Sequence, residues 1–474
     1  MKFRLIAAAA ASAIAFSACG GSDDNNAPVA ATPKNIVFFL GDGMGLTTQT
    51  AARIYKVGEA GDLTMDTLPE TAFVRTYSNN AQVTDSAPSM AAYMTGVKMN
   101  NEVISMTPET SAFDAAGKDY LNGTDSTCPQ SGNGKPVTTL LEIAKAAGMG
   151  TGAVTTTRIT HATPAATFSH ICHRDGENNI AAQAVPGGAG YNGALGDGVD
   201  VLLGGGRQFF LPATAGGKRT DGRDLTAELK AKGYTYVQDK AGFDGVATTT
   251  KKLVGLFTSS HMAYDIDRDA SKEPSLAEMT GKAIDLLGQN PKGFFLMVEG
   301  GRIDHALHET TARKALQDTV AFDDAIKAAI DKMQAKDPGL ANTLIVVTAD
   351  HDHTLVLNGY AARTGPTTAA SPGVLGLLRN FVDGSINKDA GGNPFTIIGF
   401  GNGESRLATR TALTDAQVAD KNYHQEAAIP MGAGSETHGG TDVFLGAIGK
   451  GAENFTGVIT NPEVFGLVRK ASGL

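Results

Sequence analysis

Acidic side chains stand at three points of this 474-residue sequence where a short apolar run gives out. They are Asp42 after Phe38-Phe39-Leu40, Glu299 after Leu296-Met297-Val298, and Asp350 after Val346-Val347-Thr348. Such runs predict buried strands, and ligands of open α/β sheets gather outside strand carboxyl ends. Two of the acids lie beside histidines, in "VEGGRIDHALHET" and "TADHDH", so the pattern predicts a polynuclear metal site. A helix beginning at Ile303 puts Asp304 and His308 at i and i+4 on one face, a spacing that suits a single zinc ion, and turns His305 toward substrate instead. At the other strand exit Asp350 and His351, adjacent in a loop, both reach one cation. His353 is either a third ligand or the partner that orients a ligating carboxylate. His438 lies in "GSETHGGTD", where glycines let the backbone approach a crowded centre.

The stretch "QVTDSAPSMAAYMTG" places Asp85 and Ser86 before a run of small, helix-forming residues. A serine hydroxyl is a poor nucleophile near neutral pH, and no Ser/His/Asp arrangement surrounds this one. Metal coordination is the other way to ionise it, and the free amides of a helix N-terminus favour a phosphate anion at that point. Asp85 sets the turn. Taken alone, the pair reads equally as an ordinary helix cap.

Seven stretches in order, "GDGMG", "VTDSAPS", "TRITHATPAA", "CHRDG", "VEGGRIDHALH", "TADHDH" and "SETHGG", resemble the motifs of the alkaline phosphatase family, from about Asn35 to the C-terminus. The resemblance implies a metal-dependent phosphomonoesterase with two zinc ions and one magnesium. Ser86 would become phosphoseryl. Asp304, His308 and His438 would hold the first zinc, and Asp42, Asp350 and His351 the second. Asp42 would bridge to a magnesium completed by Thr163 and Glu299, hard oxygen ligands that suit that ion. Arg174 would grip two phosphate oxygens with its planar fork, and His353 would orient Asp304. His161 and His305 stand where the best-known bacterial members have an aspartate and a lysine. His161 would sit just outside the magnesium ligands, and His305 would contact phosphate directly or through water. The missing lysine implies weaker inhibition by product phosphate. A phosphodiesterase or sulfatase of the same superfamily is the alternative. Serine at position 86, with Thr163 and Glu299, favours monoesters. A lipoprotein that binds metal or phosphate without turnover would call for a broken ligand set, and none is broken here.

Positioning these residues requires strands alternating with helices. "NIVFFL", "TGAVTTTRITHATP", "VDVLLGGGR", "GFFLMVEGGRID" and "TLIVVTADHDH" predict strands, and Ser275–Leu287 and Thr311–Lys336 carry helical periodicity. The fold class is α/β, a large mostly parallel or mixed sheet with helices on both faces. Residues 101–134 and 176–250 break the rhythm and are expected to be insertions or surface excursions at the pocket rim. Arg158 and Arg207 are assigned structural roles. Because the candidate site runs from Asp42 to His438, residues 34–474 are expected to form one catalytic domain.

Lys2, Arg4 and the apolar run from Leu5 to Phe16 predict a signal peptide over 1–18. "FSAC" resembles a bacterial lipoprotein cleavage box, which would lipidate Cys19 and leave 19–33 as a flexible tether. The expected location is outside the cytoplasm, periplasmic and lipid-anchored to a bacterial membrane or, alternatively, soluble in the periplasm or secreted. A formal charge of -9 argues against a general nucleic-acid binder. Cys128 and Cys172 remain, either paired or free. The resemblance also implies a homodimer.

Overall fold

The computed structural model describes residues 35–474; the expected signal peptide, Cys19 and the tether lie outside the described residues. The central sheet runs in the order Gly457–Thr460, Glu70–Arg75, Val443–Gly449, Thr343–Ala349, Asn35–Gly41, Phe294–Gly300, Gly150–Arg158, Val201–Gly205, Leu253–Leu256, Thr235–Val237. Val443–Gly449 is antiparallel to both neighbours, and every other pairing is parallel. The three central strands read as continuous apolar runs because both their faces are covered by helices, and Phe294–Gly300 and Thr343–Ala349 are buried throughout.

One helical layer packs Leu46–Val57 and Leu276–Leu287 against the long helix Ala312–Lys336, and the other groups Ser86–Thr95 with Ala162–Phe168 and Asn461–Ser472. Local chemistry sets their starts. Ser275 accepts from the Glu278 amide while the Glu278 carboxylate accepts from the Ser275 amide, closing both orphan donors of the first turn. No helix among the described residues is long and apolar enough to cross a membrane.

The expectation for residues 176–250 requires correction. Val201–Gly205, expected from "VDVLLGGGR", and Thr235–Val237, which was not expected, are strands of the central sheet, with the helix Leu225–Ala231 and glycine-rich turns between them. A three-residue edge strand is too short to show a period of two. Residues 101–134 form a short hairpin, Leu121–Asn122 with Asp125–Ser126, and loops tied to the segment that carries Arg174. Ile104 and Ile171 exchange backbone hydrogen bonds of 3.0 Å, and the Glu102 carbonyl accepts from the Arg174 amide at 2.8 Å. Cys128 and Cys172 form a disulfide across the same contact.

Parallel register decides where the acids arrive. Gly41 pairs with Ala349, which sets Asp42 level with Asp350, while Glu299 pairs with Leu40 on one side and Thr155 on the other. Three acids distant in sequence therefore meet at one end of the sheet. A cavity of about 410 Å³ opens at the other end, lined by Lys145 of helix Leu140–Ala146 and by Gly150 and Asp200 at strand starts, and holds none of them.

Candidate active site

Ser86 opens a helix whose every residue is buried. The Asp85 side chain caps it by accepting from the Ala87 amide at 2.8 Å, Pro88 falls in the first turn where no amide is needed, and Gly96 ends it at φ 75°. Two bonds lock the helix to the sheet: the Ser89 hydroxyl donates to the Asp350 carbonyl at 2.7 Å, and Tyr93 to the Ala349 carbonyl at 2.9 Å. Ser86 Oγ is thereby held 3.4 Å from Asp42 Oδ1 and 3.3 Å from His351 Nε2.

Helix Arg302–His308, starting one residue before Ile303, brings His308 Nε2 to 3.3 Å from Asp304 Oδ1. His438 arrives from far along the chain through a two-residue ladder that sets it opposite His353. Ligand atoms within 4.8 Å of one another form three metal-capable groups among the described residues: Asp304, His308, His353 and His438; Asp42, Asp304 and His351; and Asp42, His161 and Glu299. The second group has Asp304 where the sequence expectation had Asp350, whose Oδ2 stands 3.5 Å from His351 Nε2.

Three of these imidazoles have their tautomer set by a backbone carbonyl. Nδ1 of His308 faces the Glu436 carbonyl, that of His351 the Asp352 carbonyl at 3.2 Å, and that of His438 the Thr84 carbonyl at 2.8 Å. A carbonyl only accepts, so each Nδ1 carries a proton and in the neutral ring Nε2 presents the lone pair; for His308, against burial, the Asp304 charge and hydrogen bond raise the imidazole above its ordinary value. The Nε2 atoms of His308 and His438 face each other at 3.2 Å. Around them Asp42 Oδ2, Asp350 Oδ2, Glu299 Oε1 and Thr163 Oγ1 are buried without a partner. Each such orphan costs about 1–3 kcal/mol, so this donor set fits bound cations. Burial, reinforced by the charges of Asp350, Asp304 and Glu299, holds the Asp42 carboxyl well above the usual range. Burial likewise lifts Glu299 to about 7, against the hydroxyls of Thr155 and Thr157.

His353 is different. Its Nε2 donates to Asp304 Oδ1 at 2.8 Å and its Nδ1 to Glu436 Oε2 at 2.5 Å. Despite burial, these two bonds raise it to about 10, so it is an imidazolium with no lone pair to give a metal.

On the opposite wall arginines set the tautomers. Arg174 donates to His161 Nε2 at 3.1 Å, Arg302 to His305 Nδ1 at 2.8 Å, and Arg158 to His261 Nε2. Guanidinium has only donors, so each imidazole accepts there and carries its proton on the other nitrogen. Burial, joined by the Arg174 and Arg158 charges, depresses His161 strongly. Burial also lowers His305 to about 3 against the pull of Asp304, and the Arg302 and Arg158 charges add to the fall. Arg174 itself is fixed by Asp85 Oδ1 at 3.1 Å.

Glu436, His261 and Glu102 went unread in the sequence. Glu436 is two residues before His438 in "SETHGG", a carboxylate spacing that signals it, whereas His261 in "SSHMAY" has no local signal at all. Glu102 holds Asp85 through its amide at 2.5 Å and adopts φ 73°, a conformation costly for a residue with a Cβ. Arg158 fulfils its structural assignment toward Glu177, which it holds by Nε at 3.0 and 2.9 Å, and additionally borders the site.

Fold and site together define an α/β enzyme with a serine at the mouth of a metal-capable centre. The family model "Alkaline phosphatase" matches residues 33–474. The chain is 37% identical over 458 residues to the alkaline phosphatase of Gadus morhua, covering 90% of this chain and 88% of the relative. It is 36% identical over 460 residues to the tissue-nonspecific isozyme of Homo sapiens, covering 90% and 81%. Among solved structures it is similar to the alkaline phosphatase of Thermus thermophilus, with TM-score 0.64, 25% identity and 96% of each chain covered. A cold-active alkaline phosphatase from Shewanella sp. gives TM-score 0.62, 27% identity, and 92% and 99% coverage. The chain belongs to the alkaline phosphatase family, and it is a phosphoric monoester hydrolase.

Proposed function

We propose that this hydrolase works through a phosphoserine formed on Ser86, within a single catalytic domain spanning 34–474. The observation that carries the reading is Ser86 Oγ at a helix N-terminus, 3.3 Å from a His351 nitrogen whose lone pair is free, among buried carboxylate oxygens that lack partners.

Asp304, His308 and His438 would hold one zinc ion, Asp42, Asp350 and His351 a second, and Asp42, Thr163 and Glu299 a magnesium. Bound there, these ions supply the positive charge that lets a hydroxyl ionise near neutral pH and that neutralises a leaving oxygen. The Arg174 fork holds two phosphate oxygens, and Asp85 fixes the guanidinium so that little freedom is lost when phosphate arrives. His305 directs its Nε2 proton toward the phosphate. His161 spends its Nε2 lone pair on Arg174 and so would lie outside the magnesium ligands. His353 orients Asp304. Ser86 Oγ gives its proton to solvent and bonds to phosphorus as the ester P–O bond breaks, and the departing alkoxide takes a proton back from solvent. Water then attacks the phosphoserine, freeing inorganic phosphate and restoring the hydroxyl.

The exported lipoprotein anchored at Cys19 to a bacterial membrane, the periplasmic location and the homodimer belong to the same reading, supported by the N-terminal residues and the family. The decisive assay is phosphate release from an aryl phosphate at alkaline pH by protein lacking residues 1–19. Chelation should abolish activity, zinc and magnesium should restore it, and Ser86→Ala should lose about 10³-fold or more. An alanine variant as fast as wild type would remove Ser86 as nucleophile.

A further inference from the structure

His261 is a buried-edge imidazole that neither the metal groups nor the phosphate contacts account for. It lies in the loop after strand Leu253–Leu256, and backbone bonds fix that loop to the sheet. The Met262 amide donates to the Thr156 carbonyl at 3.0 Å, and the Ser260 carbonyl accepts from Gly206 at 2.8 Å. Its ring meets the His305 ring edge-on, with centroids 4.2 Å apart at 66°, and the His161 ring at 5.3 Å and 78°. Behind it stands a strut. Glu177, 4% exposed, receives both Arg158 Nε bonds and the Thr160 hydroxyl at 2.5 Å, so Arg158 is held in one place and its remaining fork nitrogen meets His261 Nε2. An imidazole pinned by a pinned arginine is a rigid wall, and a ring packed edge-on against it has its own rotation limited.

His305 is held at only one atom. Arg302 donates to its Nδ1, which sends the proton to Nε2, but a single hydrogen bond leaves the ring free to swing about it. The further constraints are ring contacts, with His161 at 5.4 Å and, closer, with His261 at 4.2 Å. We propose that His261 is a positioning residue for phosphate recognition. Through the Glu177–Arg158 strut it aims the His305 Nε2–H at the phosphoryl group and thereby sets affinity for substrate and product phosphate. The inference rests on the reading of His305 as a phosphate-side donor.

The test uses metal-loaded enzyme and an aryl phosphate, with inorganic phosphate as the inhibitor. Four variants are compared with wild type: His261→Asn, His261→Phe, His305→Ala and the Asn/Ala double variant. Asparagine keeps an acceptor for Arg158, so the loop retains its anchor, but it removes the ring. His261→Asn should raise the phosphate inhibition constant and KM together, roughly three- to tenfold for one misdirected hydrogen bond, with kcat within about twofold. His261→Phe keeps the edge contact but cannot accept from Arg158, so its phosphate inhibition constant should fall between those of wild type and His261→Asn. In the double variant the asparagine should add nothing beyond His305→Ala, because residues acting as one unit are non-additive. An unchanged inhibition constant in His261→Asn overturns the proposal, as does a double variant whose loss equals the product of the two single losses. A His305→Ala variant with wild-type phosphate affinity would instead remove the underlying reading of His305, and loss of all turnover on Ser86→Ala would leave the phosphoserine reading standing in every case.

Discussion

Two halves of one pocket use the same side chain in opposite ways. On the sheet side His308, His351 and His438 give their Nδ1 protons to backbone carbonyls and turn lone pairs inward, among carboxylates that have no partners. On the wall side His161, His261 and His305 take a hydrogen bond from an arginine each and keep a proton on the far nitrogen. A backbone acceptor makes imidazole a ligand, and an arginine donor makes it a proton-bearing contact. The sheet half is short of positive charge and is completed from outside the chain. The wall half already holds three guanidinium groups, and the buried nitrogens it leaves without a partner, His161 Nδ1, His261 Nδ1 and Arg302 Nε, bear protons and do not call for a cation.

The largest consequence is for stability. Chelation should lower the thermal midpoint strongly, since an ion held at 1,000 times its Kd contributes about 4 kcal/mol. The sign with pH follows from Glu299, whose ordinary value of 4.5 is lifted to about 7 when no cation is near. A raised carboxyl contributes stability that is present below its unfolded value and lost as pH rises through the folded one. The chelated protein should therefore weaken further between about pH 5 and pH 7, and the metal-loaded protein should not. Parallel melting curves across that range would break the contrast.

The wall half should depend on covalent rather than ionic support. The Cys128–Cys172 bond spans 44 residues and ties down the loop bearing Arg174. Replacing both cysteines by serine should cost up to about 4 kcal/mol by chain-entropy reasoning. It should raise KM while leaving zinc content, read by metal analysis, unchanged. Loss of metal in that variant would mean that the two halves are not separable.

The smallest effect sharpens the comparison from outside the pocket. Asp318 is a buried acid away from the ligand groups, raised to about 8 by burial and by the Asp265 charge. Its ionisation costs stability as pH climbs from about 4 to 8, so Asp318→Asn should gain on wild type over that interval and then level off. Chelation should not alter this gain, and melting curves with and without chelator decide it.

The sheet half was legible in the sequence to a large degree. Acids at the ends of apolar runs mark strand exits, and the Asp304/His308 spacing marks one helix face, because both signals are periodic and local. Ser86 was legible as a helix opening. The wall was not. Arg158 read as structural, and His261 carried no signal, because Arg158 ends one strand and His261 lies in the loop after another, two places away in the sheet. The strand Thr235–Val237 was missed for want of length, and the hairpin in 101–134 because its purpose, holding Arg174, is a contact across the fold.

By itself the sequence determined the α/β alternation, the chemistry of each ligand and the family, since residue type, period and motif order are written along the chain. Only the tertiary structure decided that Asp42 and Asp350 arrive level, that His438 reaches His308, and which nitrogen of each imidazole carries its proton. Those are fixed by strand register and by the carbonyl or guanidinium each ring happens to meet, and no spacing along the chain encodes such a meeting.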